Sequence, residues 1–130
     1  MILLDTHVLI WLAQDYQRIS PAARSAINEA RKKDRTLAIS CITLIETARL
    51  ATCRRVNLAP DLETFLSDVE RRFTVLSITG NIAMQAFALP ASYPKDPVDR
   101  IIGATALIED IPLLTADREI RKSRVVPTIW

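Results

Sequence analysis

At 130 residues, 49% hydrophobic and 25% charged, the chain has the size and makeup of one globular domain, residues 1–130, with a sizeable hydrophobic core. Its 2 Gly exclude a phosphate-cradling glycine loop, so neither G-x-G-x-x-G nor a P-loop is present. A net charge of +2 is too small to mark a nucleic-acid binder by bulk charge; the local clusters "RKKDR" and "REIRKSR" read as solvated helix ends unless they form a basic face.

The chain opens with "MILLDTHVLIW". "ILLD" is a short apolar run of the kind a strand buried on both faces shows. It stops at Asp5, and a carboxylate beside a core is costly unless it is paired, hydrogen-bonded or metal-bound. "HVLIWLAQ" continues at helical spacing, with Thr6 as its expected cap. "SPAARSAINEARKKD" is a clearer helix: Ser20 at the N-cap, Pro21 at the first position and basic residues in the last turn. "TLAIS" predicts a second buried strand. "ITLIETARLATCRR" and "DLETFLSDVERRF" predict helices separated by the breaker "NLAP". "TVLSI" predicts a third strand, and "NIAMQAFAL" a short helix closed by Pro90. After the loop "PASYPK" comes "DPVDRIIGATALIED", the strongest helical pattern. "PLLTAD" predicts a fourth strand, followed by a short basic helix and "VVPTIW", a candidate fifth.

Cys41 and Cys53 form no C-x-x-C and face no His cluster, so they read as reduced thiols of a cytoplasmic protein. The apolar start carries Asp5 and lacks a basic leader, and no stretch approaches ~20 uninterrupted apolar residues. Neither a signal peptide nor a membrane span is expected.

Short apolar strands alternating with helices predict an α/β fold: a central parallel sheet of four to five strands between two helical layers. In such sheets ligands bind at the carboxyl ends of the strands. Four acids fall at that rim. Asp5 and Asp117 close strands; Glu46 and Asp99 lie early on helices that start there. Each has a local structural reading as well. Asp96, Pro97 and Asp99 suit a helix start, Thr43 with Glu46 matches the S/T-x-x-E capping template, and Asp117 can cap the helix after it. Asp5 has no such partner in sequence, and four acids at one rim are harder to explain than any one of them.

"LLDTHVLIW", "SCITLIE", "DPVDRIIGATA" and "LLTADREI", in this order and spacing, resemble a PIN domain, and more narrowly the VapC toxins of toxin–antitoxin pairs. The resemblance spans essentially the whole chain and implies that the catalytic acids are Asp5, Glu46, Asp99 and Asp117, with the Thr6 and Thr115 hydroxyls in support and Asp96 left to helix capping. Four clustered carboxylates repel one another unless a cation intervenes. Mg²⁺, or Mn²⁺ on the same oxygens, keeps several waters and takes few carboxylates directly, which suits Asp5 and Asp99 as metal ligands, with Glu46 and Asp117 holding bound waters or a second ion. Such a centre serves phosphodiester hydrolysis. The resemblance further implies an RNA substrate, a VapB-like antitoxin anchored by apolar residues near Ile10, Trp11 and Leu12, and a homodimer, with no membrane role. Arg100 and the basic segment after Asp117 are the candidate sources of positive charge for the substrate phosphate. His7, the single histidine, is expected near the pocket mouth, and one His cannot supply the acid–base pair of a metal-free ribonuclease. Trp11 reads as core or dimer surface. Other strand-end-Asp enzymes fit poorly: a haloacid-dehalogenase site wants a second Asp where His7 stands, and a receiver domain wants an early acidic pair. The alternative is an inactive PIN-like module that binds RNA or protein without cutting.

Overall fold

The computed structural model of the chain describes residues 1–33 and 36–130. The end of the basic run "RKKDR", Asp34 and Arg35, lies outside the described residues.

Five strands form one parallel sheet: β1 (Ile2–Leu4), β2 (Leu37–Ser40), β3 (Thr74–Leu76), β4 (Leu113–Leu114) and β5 (Thr128–Ile129). Their order is β3-β2-β1-β4-β5, with β1 central. The chain builds outward from β1 to β3 and then returns to add β4 on the other side of β1. This reversal creates a switch point between the carboxyl ends of β1 and β4, where the connections diverge and leave a crevice.

Alternation along β1 divides the core. Ile2 and Leu4 pack with Val8 and Leu9 of α1 (Thr6–Gln14), Ile27 of α2 (Pro21–Lys32) and Phe65 and Val69 of α4 (Leu62–Arg72). Leu3, on the opposite face, packs with Ile102 and Ala106 of α6 (Pro97–Ile108) and Ile120 of α7 (Arg118–Ser123). Ile82 and Ala86 fasten α5 (Gly80–Ala88) to Ala104 of α6. The helix α3 (Cys41–Thr52) follows β2 directly and contacts α1 and α6. The result is the expected three-layer arrangement.

Local signals fixed several boundaries as expected. Ser20 caps α2 by accepting from the Ala23 amide at 3.1 Å, with Pro21 at the first position. Asp96 caps α6, accepting from the amides of Val98 and Asp99. Two capping expectations require correction. Thr6 does not cap α1; Asp5 does, because its own amide still bonds to Leu114 and keeps residue 5 in the strand. The Thr43–Glu46 box does not form, because Ser40 caps α3 and helical geometry has already begun at Cys41.

Gly103 lets α6 lie directly on Tyr93: a Cβ there would run into the phenol ring, which is 1% exposed. The same phenol donates to the carbonyl of Asp99 at 3.2 Å. Tyr93 therefore anchors the first turn of α6, the turn that carries an acid of the predicted site. Among the described residues no helix is long and apolar enough to cross a membrane.

Candidate active site

Parallel register pairs Leu4 with Leu114, so Asp5 and Thr115 emerge side by side at the switch point. The Thr115 hydroxyl donates to Asp5 Oδ2 at 2.6 Å, and the Thr6 amide donates to Oδ1 at 2.7 Å. Thr115 is fully buried and its oxygen also accepts from the Asp117 amide at 3.1 Å. With its lone pairs facing that amide, the hydroxyl has one proton to give, and it gives it to Asp5. Asp117 in turn caps α7, accepting from the Ile120 amide at 2.9 Å. Asp117 is thus a helix cap that also stands beside Asp5 at the strand ends.

Asp5 is 7% exposed. Burial pushes its carboxyl above the usual range, while the Thr115 bond, the nearby His7 and the Thr6 amide pull the other way. Asp99, in the first turn of α6, is pushed up to about 7, first by burial and then by the charges of Asp5, Asp96, Asp117 and Glu46. Those couplings are the electrostatic signature of acids from four parts of the chain sharing one space. The space is a cleft of about 400 Å³ whose walls include Asp5, Glu46, Asp99 and Asp117, with Thr6, His7, Trp11 and Asp96. Sequence reasoning therefore placed every one of its four acids on one cleft.

Other assignments shift. Both oxygens of Glu46 are held by Arg49 across one helical turn, at 2.7 and 3.0 Å. Arg100 does not line the cleft. Its guanidinium donates to the carbonyls of Ala86, Leu89 and Pro90 at 3.1, 3.0 and 3.4 Å. The end of α5 leaves carbonyls without helical partners, and a cation there is doubly favoured; the expected substrate contact is thus a structural cap. Trp11, expected in the core or at a dimer surface, instead forms part of the cleft wall while packing partly on the core. The signal in sequence was its position four residues, about one helical turn, after His7 on the same helix, but helical spacing alone could not say which neighbour it faced.

The acids at the cleft offer oxygen donors, with one imidazole, His7, at its wall; a carboxylate-dominated set of this kind fits a hard divalent cation. The Thr6 hydroxyl is buried at this wall without a hydrogen-bond partner, the state expected of a group that would meet a metal-bound water. Among the described residues no three Asp, Glu, His or Cys side chains already close around a single point. Asp5 and Asp99 are the candidates for direct contact, since they are the two acids driven toward protonation when no cation is present.

Residues 2–125 match the PIN domain family. The chain is 39% identical over 123 residues to ribonuclease VapC22 of Mycobacterium tuberculosis, covering 95% of this chain and 92% of that protein. Among solved structures it resembles a toxin–antitoxin complex from Klebsiella pneumoniae, at 26% identity and TM-score 0.64, covering 92% of this chain and 89% of the other. A DNA-bound VapBC from Salmonella typhimurium matches at 25% identity and TM-score 0.69, over 98% and 95% of the two chains. The fold is also that of VapBC2 from Rickettsia felis, with TM-score 0.73 at 16% identity and coverage of 98% and 97%.

The raised carboxyls of Asp5 and Asp99 give a signed pH dependence. Unfolded, both lose their protons near pH 4; folded, Asp99 holds its proton to about 7. Between those values the folded state binds more protons, so stability falls as pH rises. In EDTA, the melting temperature at pH 8 should lie below that at pH 5 by about 3 °C or more. Asp99→Asn should flatten this slope; an unchanged slope in the variant would show that the cleft carboxyls are not its source.

Proposed function

This chain belongs to the PIN-domain family, and from that premise we propose that it is a divalent-metal-dependent endoribonuclease, the toxic member of a type II toxin–antitoxin pair. The observation that carries the reading is the cleft on which Asp5, Glu46, Asp99 and Asp117 converge from four separate segments. Its likeness over 95% of its length to a protein named as a ribonuclease supports RNA as the substrate.

In this reading Asp5 and Asp99 hold Mg²⁺ or Mn²⁺, and Glu46 and Asp117 hold waters bound to it or a second ion. The cation, when bound, lowers the pKa of a water and neutralises charge that develops on the phosphate. The chain's own residues do the rest. Thr115 fixes Asp5 in one rotamer and keeps it an acceptor. Tyr93 holds the first turn of α6, and with it Asp99. Glu46 would exchange its bidentate contact with Arg49 for a metal-bound water when the site is filled. The inactive-module alternative loses ground because no acid of the pattern is absent.

The partner is a VapB-like antitoxin, in keeping with the complexes that the fold resembles. A groove of about 710 Å³, lined by Leu9, Leu12, Phe65, Val69 and Phe73 and flanked by Arg31 and Arg72, suits an amphipathic segment with apolar anchors and acidic edges. Leu12 thus stays a candidate contact, whereas Ile10 is 4% exposed and belongs to the core. Two copies of the chain pair through α5, whose outer face exposes Met84 (69%) and Phe87 (81%) and carries no charge. A two-fold interface sets like residues near one another at its axis, so a charge-free apolar face suits it. The action is in the cytoplasm, where the RNA is.

With Mn²⁺ or Mg²⁺ the purified chain should cleave RNA, and excess EDTA should stop it. Asp5→Asn and Asp99→Asn should each lower the rate by roughly 100-fold or more with the fold retained by circular dichroism. Near wild-type cleavage by either variant would remove that acid from the site, and no cleavage by the wild type would favour the binding module. Separately, light scattering should report a dimer for the wild type and a monomer for Phe87→Glu; a dimer that survives the substitution pairs elsewhere.

A further inference from the structure

Among the described residues neither Lys nor Arg lines the acidic cleft. A polyanion entering it meets five carboxylates, so positive charge must reach it from the rim. The expected source, Arg100, is committed to the end of α5. Arg49 is held by Glu46, Arg71 pairs with Asp68, and Arg24 donates to the carbonyls of Ile19 and Gln17.

Arg18 differs from all of these. It ends the short 3-10 turn Tyr16–Arg18 that follows α1, and it is exposed. Its guanidinium lies over the Trp11 ring, Cζ 4.2 Å from the centroid. Among the described residues its side chain has no acidic partner and donates no hydrogen bond. Stacking on an aromatic face orders a guanidinium yet leaves its N–H groups, which radiate in the ring plane, free for an anion. Trp11 is also a wall of the acid cleft, so the ordered cation is held against a cleft-lining side chain. His7, exposed on the same helix and lining the same cleft, lies 6.0 Å from Trp11 between centroids, tilted by 51°. Stacked cation, supporting indole and open imidazole thus flank the acids on one side, next to the residue that follows Asp5 and Thr6 in the chain.

We propose that Arg18, held on Trp11, and the exposed ring of His7 form the subsite that grips the nucleotide adjoining the cleaved bond, Arg18 taking its phosphate and His7 stacking on its base. The inference rests on the ribonuclease reading and adds to it the side from which the strand is held. Single-stranded RNA is the form that fits, because its bases are free to stack and its phosphates are spaced along a flexible backbone.

The chain supplies its own reporter. Both of its tryptophans, Trp11 and Trp130, sit in this cluster with ring centroids 6.0 Å apart, so intrinsic emission reads this place alone. The experiment titrates a short single-stranded RNA into the full-length Asp99→Asn protein in Mg²⁺, where cleavage is blocked, and follows tryptophan emission. A saturable change is expected. Adding Arg18→Gln should weaken affinity about 5- to 10-fold and reduce the salt dependence by about one counterion, while Arg18→Lys should keep the salt dependence but recover only part of the affinity. His7→Ala should weaken binding and His7→Phe restore it. In the otherwise wild-type enzyme, Arg18→Gln should raise KM by a similar factor and lower kcat less. If wild type cleaves and binds RNA but Arg18→Gln matches it in affinity and KM, or merely melts earlier, the subsite is wrong and the ribonuclease reading stands. If wild type neither binds nor cleaves RNA, both fall together.

Discussion

The bond from the Thr115 hydroxyl to Asp5, 2.6 Å long and spanning 110 residues of chain, is the contact on which the rest of the site depends. A carboxylate at 7% exposure is tolerable only with donors on both oxygens, and Thr115 and the Thr6 amide supply them. The sheet order makes this possible. Because β4 returns to lie beside β1, the register that pairs Leu4 with Leu114 delivers Asp5 and Thr115 to adjacent positions at the switch point. Thr115 then passes the constraint on, since its oxygen accepts the Asp117 amide and sets the start of α7. One hydroxyl thus joins two strands, two acids and a helix.

The cleft is an electrostatic compromise. Asp99 reaches about 7 because burial and four neighbouring acids all oppose its charge. An apolar or amide side chain there would be more stable; like charges gathered at a strand-end crevice are what the proposed cation would offset. The scaffold around it is correspondingly rigid. Gly103 admits the Tyr93 ring against α6, and Tyr93 secures the turn that carries Asp99. Trp11, with Arg18 over its ring, and His7 are the aromatic side chains of the same cleft.

Most of the fold and all four acids were legible because their signals are local. An apolar run ending in Asp marks a buried strand whose end is polar, and Ser20–Pro21 and Asp96–Pro97 mark helix starts wherever they occur. What was not legible depends on contacts distant in sequence. Whether Asp5 or Thr6 caps α1 turns on the Asp5 amide reaching Leu114, a sheet bond. Thr43 and Glu46 satisfy the capping template, yet β2 runs straight into α3, so the helix is already under way. Arg100 is a cation in the right helix, but the packing of α5 on α6 offers it three carbonyls before any phosphate. Trp11 could have faced the core, a partner or the cleft, and only the placement of α1 on the sheet decides.

The account stands most directly on cation affinity, because the geometry claims that Thr115 organises Asp5 for a metal. Calorimetric titration of Mn²⁺ into the wild type should give saturable binding, and Thr115→Val, which keeps the shape and removes the hydroxyl, should weaken it by about 10- to 100-fold. A wild type that binds no Mn²⁺, or a Thr115→Val protein that binds it equally well, would contradict the claim.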